Sequence, residues 1–186
     1  MVAGSSMSFS PSSTLPEVII IEPDLFRDHR GYFMETYHQE KFLSVGIDVR
    51  FVQDNQSMSS RGTLRGLHYQ IKRPQGKLVR VIRGEVYDVC VDIRRSSPHF
   101  GKWFGIALTE ENKRALYIPP NFAHGFCVLS ETAEFSYKCT DFYFPDYERA
   151  IRWNDPDLAI DWPIQEPILS DRDASCPLLR DAELPD

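Results

Sequence analysis

The chain has 186 residues, enough for one domain with a sizeable core. Its hydrophobic share of 42% and charged share of 26% are those of an ordinary soluble globular protein, and no apolar run approaches the length of a transmembrane span. A net charge of −6 excludes a general attraction to nucleic acid or to anionic membranes, so any anion site must be a local basic cluster working against the overall sign.

Met1 to Ser13 is small and Ser-rich, with Met7 placed like a second initiator. Residues 1–13 are expected to be a tail, disordered or added in cloning, and 14–186 a single domain. No secretory apolar segment precedes the first strand. Val18–Ile21 is an apolar β-branched run. The turn signal Asp28-His29-Arg30-Gly31 precedes an aromatic strand over Tyr32–Tyr37, and Gln39–Val45 predicts one short helix closed by Gly46. Further strands are expected at Arg50–Gln53, Thr63–Gln70, Lys77–Arg83, Glu85–Ile93, Trp103–Leu108, Ala115–Ile118, Gly125–Leu129 and Glu134–Tyr143. Many short strands with few helices predict an all-β antiparallel sandwich or barrel. After Asp146, Pro156, Pro163, Pro167 and Pro177 exclude a continuing sheet, while Trp153 and Trp162 supply bulk. That stretch is expected to wrap over the barrel, with a short helix near Asp157–Ala159.

Cys90, Cys127, Cys139 and Cys176 form no C-x-x-C pair, and three lie in apolar strand-like runs. They are expected to be buried free thiols of a cytoplasmic protein.

The row Leu64-Arg65-Gly66-Leu67-His68-Tyr69-Gln70, followed by Gln75-Gly76-Lys77-Leu78-Val79-Arg80, places cations, an imidazole and an amide along two strands. A core has no use for these groups unless they meet opposite charge. The row therefore reads as the wall of a pocket for an anionic, phosphorylated ligand beside an ionisable base. Strict alternation puts Arg65 and His68 on opposite faces; a bulge at Gly66 would turn both inward. Tyr137 is ordinary strand packing unless its phenol faces an apolar pocket, where it can deliver a proton. Asp173 is a surface or capping carboxylate unless the wrap returns it to the barrel mouth, where it could orient an imidazole.

Ile118-Pro119-Pro120-Asn121-Phe122-Ala123-His124-Gly125-Phe126 resembles the second cupin motif, and Gly66 to Gly84-Glu85 resembles the first. Metal-binding cupins carry a second histidine where this chain has Gln70, and an acidic ligand where it offers Lys77. A cation among the ligands repels a metal, so the expectation is a cupin-like jelly-roll barrel with its metal site dismantled and no metal or cofactor.

Taken together with Arg30-Gly31-Tyr32-Phe33, Phe51-Val52-Gln53-Asp54-Asn55, Glu134 to Tyr137-Lys138 and Trp153-Asn154-Asp155, these motifs resemble, in order, the dTDP-4-dehydrorhamnose 3,5-epimerase family from about Pro16 to Leu179. The resemblance implies a homodimer acting on a dTDP-linked 4-keto-6-deoxy sugar, with His68 as base, Asp173 as its partner, Tyr137 as proton donor and Lys77 as a substrate-binding position; an enolate oxyanion beside the ketone needs a cation, for which Lys77 is the candidate. It maps substrate-binding positions onto Arg30, Glu35, Gln53, Asp54, Asn55, Arg65, His124, Glu148 and Arg172. The family usually has lysine at Arg172, and often has a second tyrosine where this chain has Phe142. The alternatives are an epimerase of C3 or C5 alone, a metal-dependent cupin enzyme, and a non-catalytic sugar-nucleotide binding module.

Overall fold

The computed structural model describes residues 7–185. Among these residues thirteen strands appear in the order β1 (Met7–Pro11), β2 (Ile19–Pro23), β3 (Phe26–Asp28), β4 (Gly31–Phe33), β5 (Gln53–Ser60), β6 (Leu64–Gln70), β7 (Lys77–Arg83), β8 (Glu85–Asp92), β9 (Trp103–Thr109), β10 (Ala115–Ile118), β11 (Phe122–Val128), β12 (Thr132–Cys139) and β13 (Glu148–Ala150). Helices are short: α1 (Gln39–Ser44), α2 (Asp171–Ala174) and two single 3₁₀ turns. Strands β1-β2-β10-β7-β12-β5 form one antiparallel sheet and β13-β6-β11-β8-β9 the other, with β3-β4 a separate hairpin. Two facing antiparallel sheets with crossed-over strand order make a jelly-roll barrel.

Alternation within the strands builds three apolar layers. Val79, Val81, Leu116, Phe126 and Phe135 fill the barrel between the sheets. Ile21, Leu78, Ala115 and Tyr117 face out from the six-stranded sheet and are covered by Phe42 of α1 and Ile47, with Met7 and Phe9 of β1 packed alongside. Leu64, Leu67, Val89, Val91 and Cys127 face out from the five-stranded sheet and are covered by Leu158, Trp162 and Leu179 of the C-terminal wrap. No helix among the described residues is long and apolar enough to cross a membrane.

Several expectations are corrected. Residues 7–11 are not tail: Met7 pairs with Pro23 and Pro11 with Ile19, because β1 presents Met7 and Phe9 to an apolar layer. Residues 1–6 lie outside those described. The aromatic strand over Tyr32–Tyr37 is only the hairpin arm β4. The strand expected at Arg50–Gln53 instead begins at Gln53 and runs to Ser60. Glu134–Tyr143 ends as a strand at Cys139. Residues 157–159 form a turn, and the helix of the wrap is α2.

The wrap is organised by Asp155, which is 1% exposed. Its Oδ1 accepts from the N–H of Asp157 at 2.7 Å and of Leu158 at 3.0 Å, and its Oδ2 from the N–H of Leu179 at 2.7 Å. Asp155→Ala leaves those three donors without their carboxylate. Thermal or urea unfolding of this variant is expected to show a loss of about 2–4 kcal/mol. Wild-type stability would mean that water replaces the carboxylate at no cost.

Candidate active site

The site begins with an irregularity in β6. Leu64 pairs with Cys127 and Arg65 with Phe126, but His68 pairs with His124, so β6 carries one extra residue between Arg65 and His68. Such a bulge reverses the alternation and turns both side chains into the barrel. The irregularity falls at Gly66, whose φ is +140°. A Cβ there would lie 2.5 Å from the Gly125 Cα on β11, so the two strands approach too closely for any side chain. The inward turn of Arg65 is visible in its contact: Nε donates to Ser59 Oγ of β5, in the opposite sheet, at 3.0 Å.

His68 lies 2.7 Å from Asp173 through Nε2 and Oδ1. The wrap delivers the carboxylate. Leu64 N–H donates to the Ile168 carbonyl at 3.0 Å and Ile168 N–H to the Gly62 carbonyl at 2.8 Å, fixing the chain beside β6. Ser170 then caps α2 by accepting from the Asp173 N–H, and the Gly66 N–H donates to Asp173 Oδ2 at 3.3 Å. Burial raises the Asp173 carboxyl, but the His68 hydrogen bond and charge and the Gly66 N–H outweigh it and hold the group below the usual carboxylate range.

Across the barrel, the six-stranded sheet presents Lys77 and Tyr137, with the Lys77 Nζ 5.8 Å from the centre of the Tyr137 ring. One cavity is lined by His68 from the first sheet and by Lys77 and Tyr137 from the second, with Gln75, Asn121, Tyr143 and Glu148 around them. Burial pulls the Lys77 ammonium below its usual range, against the opposing pull of Asp88 and Glu148. Burial also pushes the Tyr137 phenol up, with the neighbouring Asn55 amide acting the other way. An imidazole held by a carboxylate thus faces a phenol and an amine across one cavity.

Two features bear on the metal expectation. Gln70 is fully engaged by backbone: Nε2 donates to the carbonyls of Arg73 at 2.8 Å and Phe142 at 3.2 Å, and Oε1 accepts from the Phe144 N–H at 2.7 Å. His124 is buried, stacked on Phe135, and bound through Nε2 to Asp88 Oδ2 at 2.8 Å. Burial lowers its proton affinity despite that carboxylate. Among the described residues no group of three or more His, Cys, Asp or Glu side chains could hold a metal ion.

The family model of dTDP-4-dehydrorhamnose 3,5-epimerase matches residues 12–181. The chain belongs to the dTDP-4-dehydrorhamnose 3,5-epimerase family. It is 57% identical over 171 residues to the dTDP-4-dehydrorhamnose 3,5-epimerase of Pseudomonas aeruginosa, covering 91% of this chain and 94% of that one. The crystal structure of the dTDP-6-deoxy-D-glucose-3,5-epimerase of Legionella pneumophila, in complex with dTDP-4-keto-L-rhamnose, superposes with a TM-score of 0.94. It is 50% identical, over 97% of this chain and 98% of that one. A dTDP-4-dehydrorhamnose 3-epimerase of Streptomyces niveus is 41% identical over 164 residues, 87% of this chain and 79% of that one.

Of the expected residues, His68, Lys77, Tyr137 and Glu148 line this cavity. Gln53 and Asn55 face inward on β5, Arg65 joins them from β6, and Glu148 lines the cavity from β13. Arg172 stands at the rim, its Nη1 donating to Glu148 Oε2 at 2.5 Å. Asp54 faces outward and pairs with Lys138 at 3.1 Å. Arg30 lies on the β3-β4 hairpin, paired with Asp28, and Glu35 pairs with Lys41 at 2.7 Å; neither lines the cavity. His124 lies outside its lining as well. Tyr143 was overlooked: its hydroxyl donates to Glu148 Oε2 at 2.6 Å inside the cavity, whereas Phe142 beside it is 50% exposed. The aromatic run Phe142-Tyr143-Phe144 held that signal, but strand alternation extrapolated past Cys139 could not choose among the three.

Proposed function

We propose that this epimerase inverts both C3 and C5 of dTDP-4-dehydro-6-deoxy-D-glucose to give dTDP-4-dehydro-L-rhamnose, without a metal or redox cofactor. One observation carries the reading: His68 on one sheet, backed by Asp173 of α2, and Tyr137 with Lys77 on the other sheet face a single cavity. The C4 ketone acidifies the hydrogens on both neighbouring carbons. His68 removes each proton, and Asp173 stabilises the imidazolium that forms. The enolate charge at O4 is met by Lys77. Tyr137 returns a proton to the opposite face, and after each inversion solvent takes the proton from the His68 imidazolium and reprotonates the phenol. In this reading Arg65 and Arg172 bind the pyrophosphate, which would account for cations in an acidic protein.

The 3,5-epimerases among the relatives are more similar to this chain than the 3-epimerase, which favours double over single inversion. The four free, buried cysteines fit a cytoplasmic enzyme. We further propose a homodimer. Phe26, Tyr32 and Phe33 of the hairpin are exposed, and Arg30 beside them reaches no part of its own cavity. Pairing of two copies covers the aromatics and lets the hairpin of one protomer approach the cavity of its partner.

The alkaline limb of activity follows from Lys77. Its ammonium must be charged to meet the enolate, and burial lowers its pKa from 10.5, so kcat falls as pH rises through that lowered value. Tyr137, whose phenol is raised, loses its proton only at higher pH. Lys77→Arg is expected to move the alkaline limb upward while cutting kcat at neutral pH by roughly 10-fold or more, since the fork cannot reproduce the ammonium's geometry. An unmoved limb in the pH–kcat profile assigns it to another group.

Product analysis tests the whole assignment. After incubation with the 4-keto sugar nucleotide, borohydride reduction and acid hydrolysis release the 6-deoxyhexoses. L-rhamnose and its C4 epimer are expected. D-series sugars inverted at C3 alone would identify a mono-epimerase, and unchanged D-series sugars a binding module.

A further inference from the structure

Resting on the reading of this cavity as the sugar-nucleotide site, we propose that Gln70 is a positioning residue whose amide holds Tyr143 in the cavity wall and thereby sets the affinity for the nucleotide. Gln70 follows His68 by two residues on β6, so it shares the inward face, and it is 3% exposed. A primary amide buried this deeply is costly unless its donors and acceptor are met. Here they are met by backbone. Nε2 donates to the Arg73 carbonyl at 2.8 Å and to the Phe142 carbonyl at 3.2 Å, and Oε1 accepts from the Phe144 N–H at 2.7 Å. A glutamine amide has two N–H hydrogens, and these two carbonyls take both.

The bonded groups belong to two loops. Strand β12 ends at Cys139 and β13 begins at Glu148, so Phe142, Tyr143 and Phe144 lie between strands. A carbonyl and an N–H two residues apart are what an extended chain offers a neighbouring strand on one side. Gln70 takes the neighbour's place from the five-stranded sheet. The Tyr143 N–H donates to Gln53 Oε1, from the six-stranded sheet, at 2.9 Å. The segment is therefore a strap between the two sheets, with Tyr143 at its centre. The Arg73 carbonyl brings in the loop between β6 and β7. Arg73 has φ +49°, and its guanidinium pairs with Asp141 at 2.6 Å and lies 4.5 Å from the centre of the Phe144 ring. Tyr143 carries the result into the cavity. It is 45% exposed at the mouth, and its hydroxyl donates to Glu148 Oε2, which Arg172 also engages. His68 is held by Asp173, and Lys77 and Tyr137 by their strands β7 and β12, all without the strap. A keto sugar lying among those three extends its nucleotide towards the mouth. Loosening the strap should weaken nucleotide binding and spare the proton transfers.

A double-mutant cycle read by kinetics and by dTDP titration calorimetry tests this. Gln70→Met keeps the length and bulk of the side chain and removes both donors and the acceptor. It is expected to raise KM and the dTDP dissociation constant together by about 10-fold, with kcat within about threefold of wild type. Tyr143→Ala should show the same split. In the Tyr143→Ala background, Gln70→Met should add less than about twofold to either constant. Gln70→Asn keeps the amide but is one methylene short of the strap; it should also raise both constants at intact kcat, and it stands in if the methionine variant does not fold. Wild-type dTDP affinity in the Gln70 variants would overturn the proposal, as would a fall in kcat at unchanged KM. Losses that multiply in the double variant would also overturn it, because Gln70 would then act independently of Tyr143. A wild-type protein that binds no dTDP sinks the parent reading instead, whatever Gln70 does.

Discussion

His68→Asn is expected to abolish hydrogen exchange at both C3 and C5 while leaving dTDP binding nearly intact. A single imidazole on the β6 bulge faces the cavity with a carboxylate 2.7 Å behind it. On the proposed mechanism one base serves both carbons, because each lies next to the same ketone. Loss of a general base typically costs about 10²–10⁴-fold in rate, or roughly 3–5.5 kcal/mol of barrier. Asparagine keeps polar contact with Asp173, so the variant separates proton affinity from packing. Isotope exchange monitored by NMR reads both carbons at once. Wild-type exchange at either carbon moves its base to another side chain. The pair also makes the fold sensitive to acid. The carboxyl of Asp173 is held below the usual range, so its contribution to stability is present above the ordinary carboxylate pKa and is lost as pH falls through the lowered one.

Tyr137→Phe is the second large effect. The substitution keeps the ring, which packs among the residues that fill the barrel, and deletes only the hydroxyl. Removal and return of a proton on one face by His68 produces exchange without inversion. Inversion needs a donor from the opposite sheet, where Tyr137 stands, its phenol held protonated by burial. The variant is therefore expected to exchange substrate hydrogen with solvent yet form C5-inverted product about 10²–10⁴-fold more slowly. C3 is expected to suffer less, because solvent can protonate it from the open side. Formation of the L-sugar at the wild-type rate would reduce Tyr137 to packing.

The strands that are apolar on one or both faces were legible in the sequence. Lys77–Arg83 carries β-branched alternation and emerged as β7 with its expected ends. Strand β5 was not legible. Gln53-Asp54-Asn55-Gln56-Ser57-Met58-Ser59-Ser60 has no β-branched residue, because its inner face is polar cavity wall and it lies at the sheet edge, so tertiary pairing with β12 overrides local preference. Helix α2 is too short to show a period, and only the Ser170 cap marks it. At the site, the bulge at Gly66 could be inferred because Arg65 and His68 conflict under strict alternation. The meeting of His68 with Asp173 could not. They are 105 residues apart, and their contact depends on the wrap's backbone bonds at Gly62 and Leu64, which leave no periodicity. The family motifs supplied that pairing where local physics was silent. They also pointed to Arg30 and Glu35, which do not line the cavity.

The central claim is that one base and one opposed acid act on both carbons flanking one ketone. It is tested most directly by NMR of the dTDP-4-keto sugar with the wild-type enzyme in deuterium oxide, followed through the first turnovers. The account predicts deuterium at C3 and at C5 of an L-configured product, with both signals lost together in His68→Asn. Deuterium at a single carbon, or an L-product that retains its original hydrogens, would contradict it.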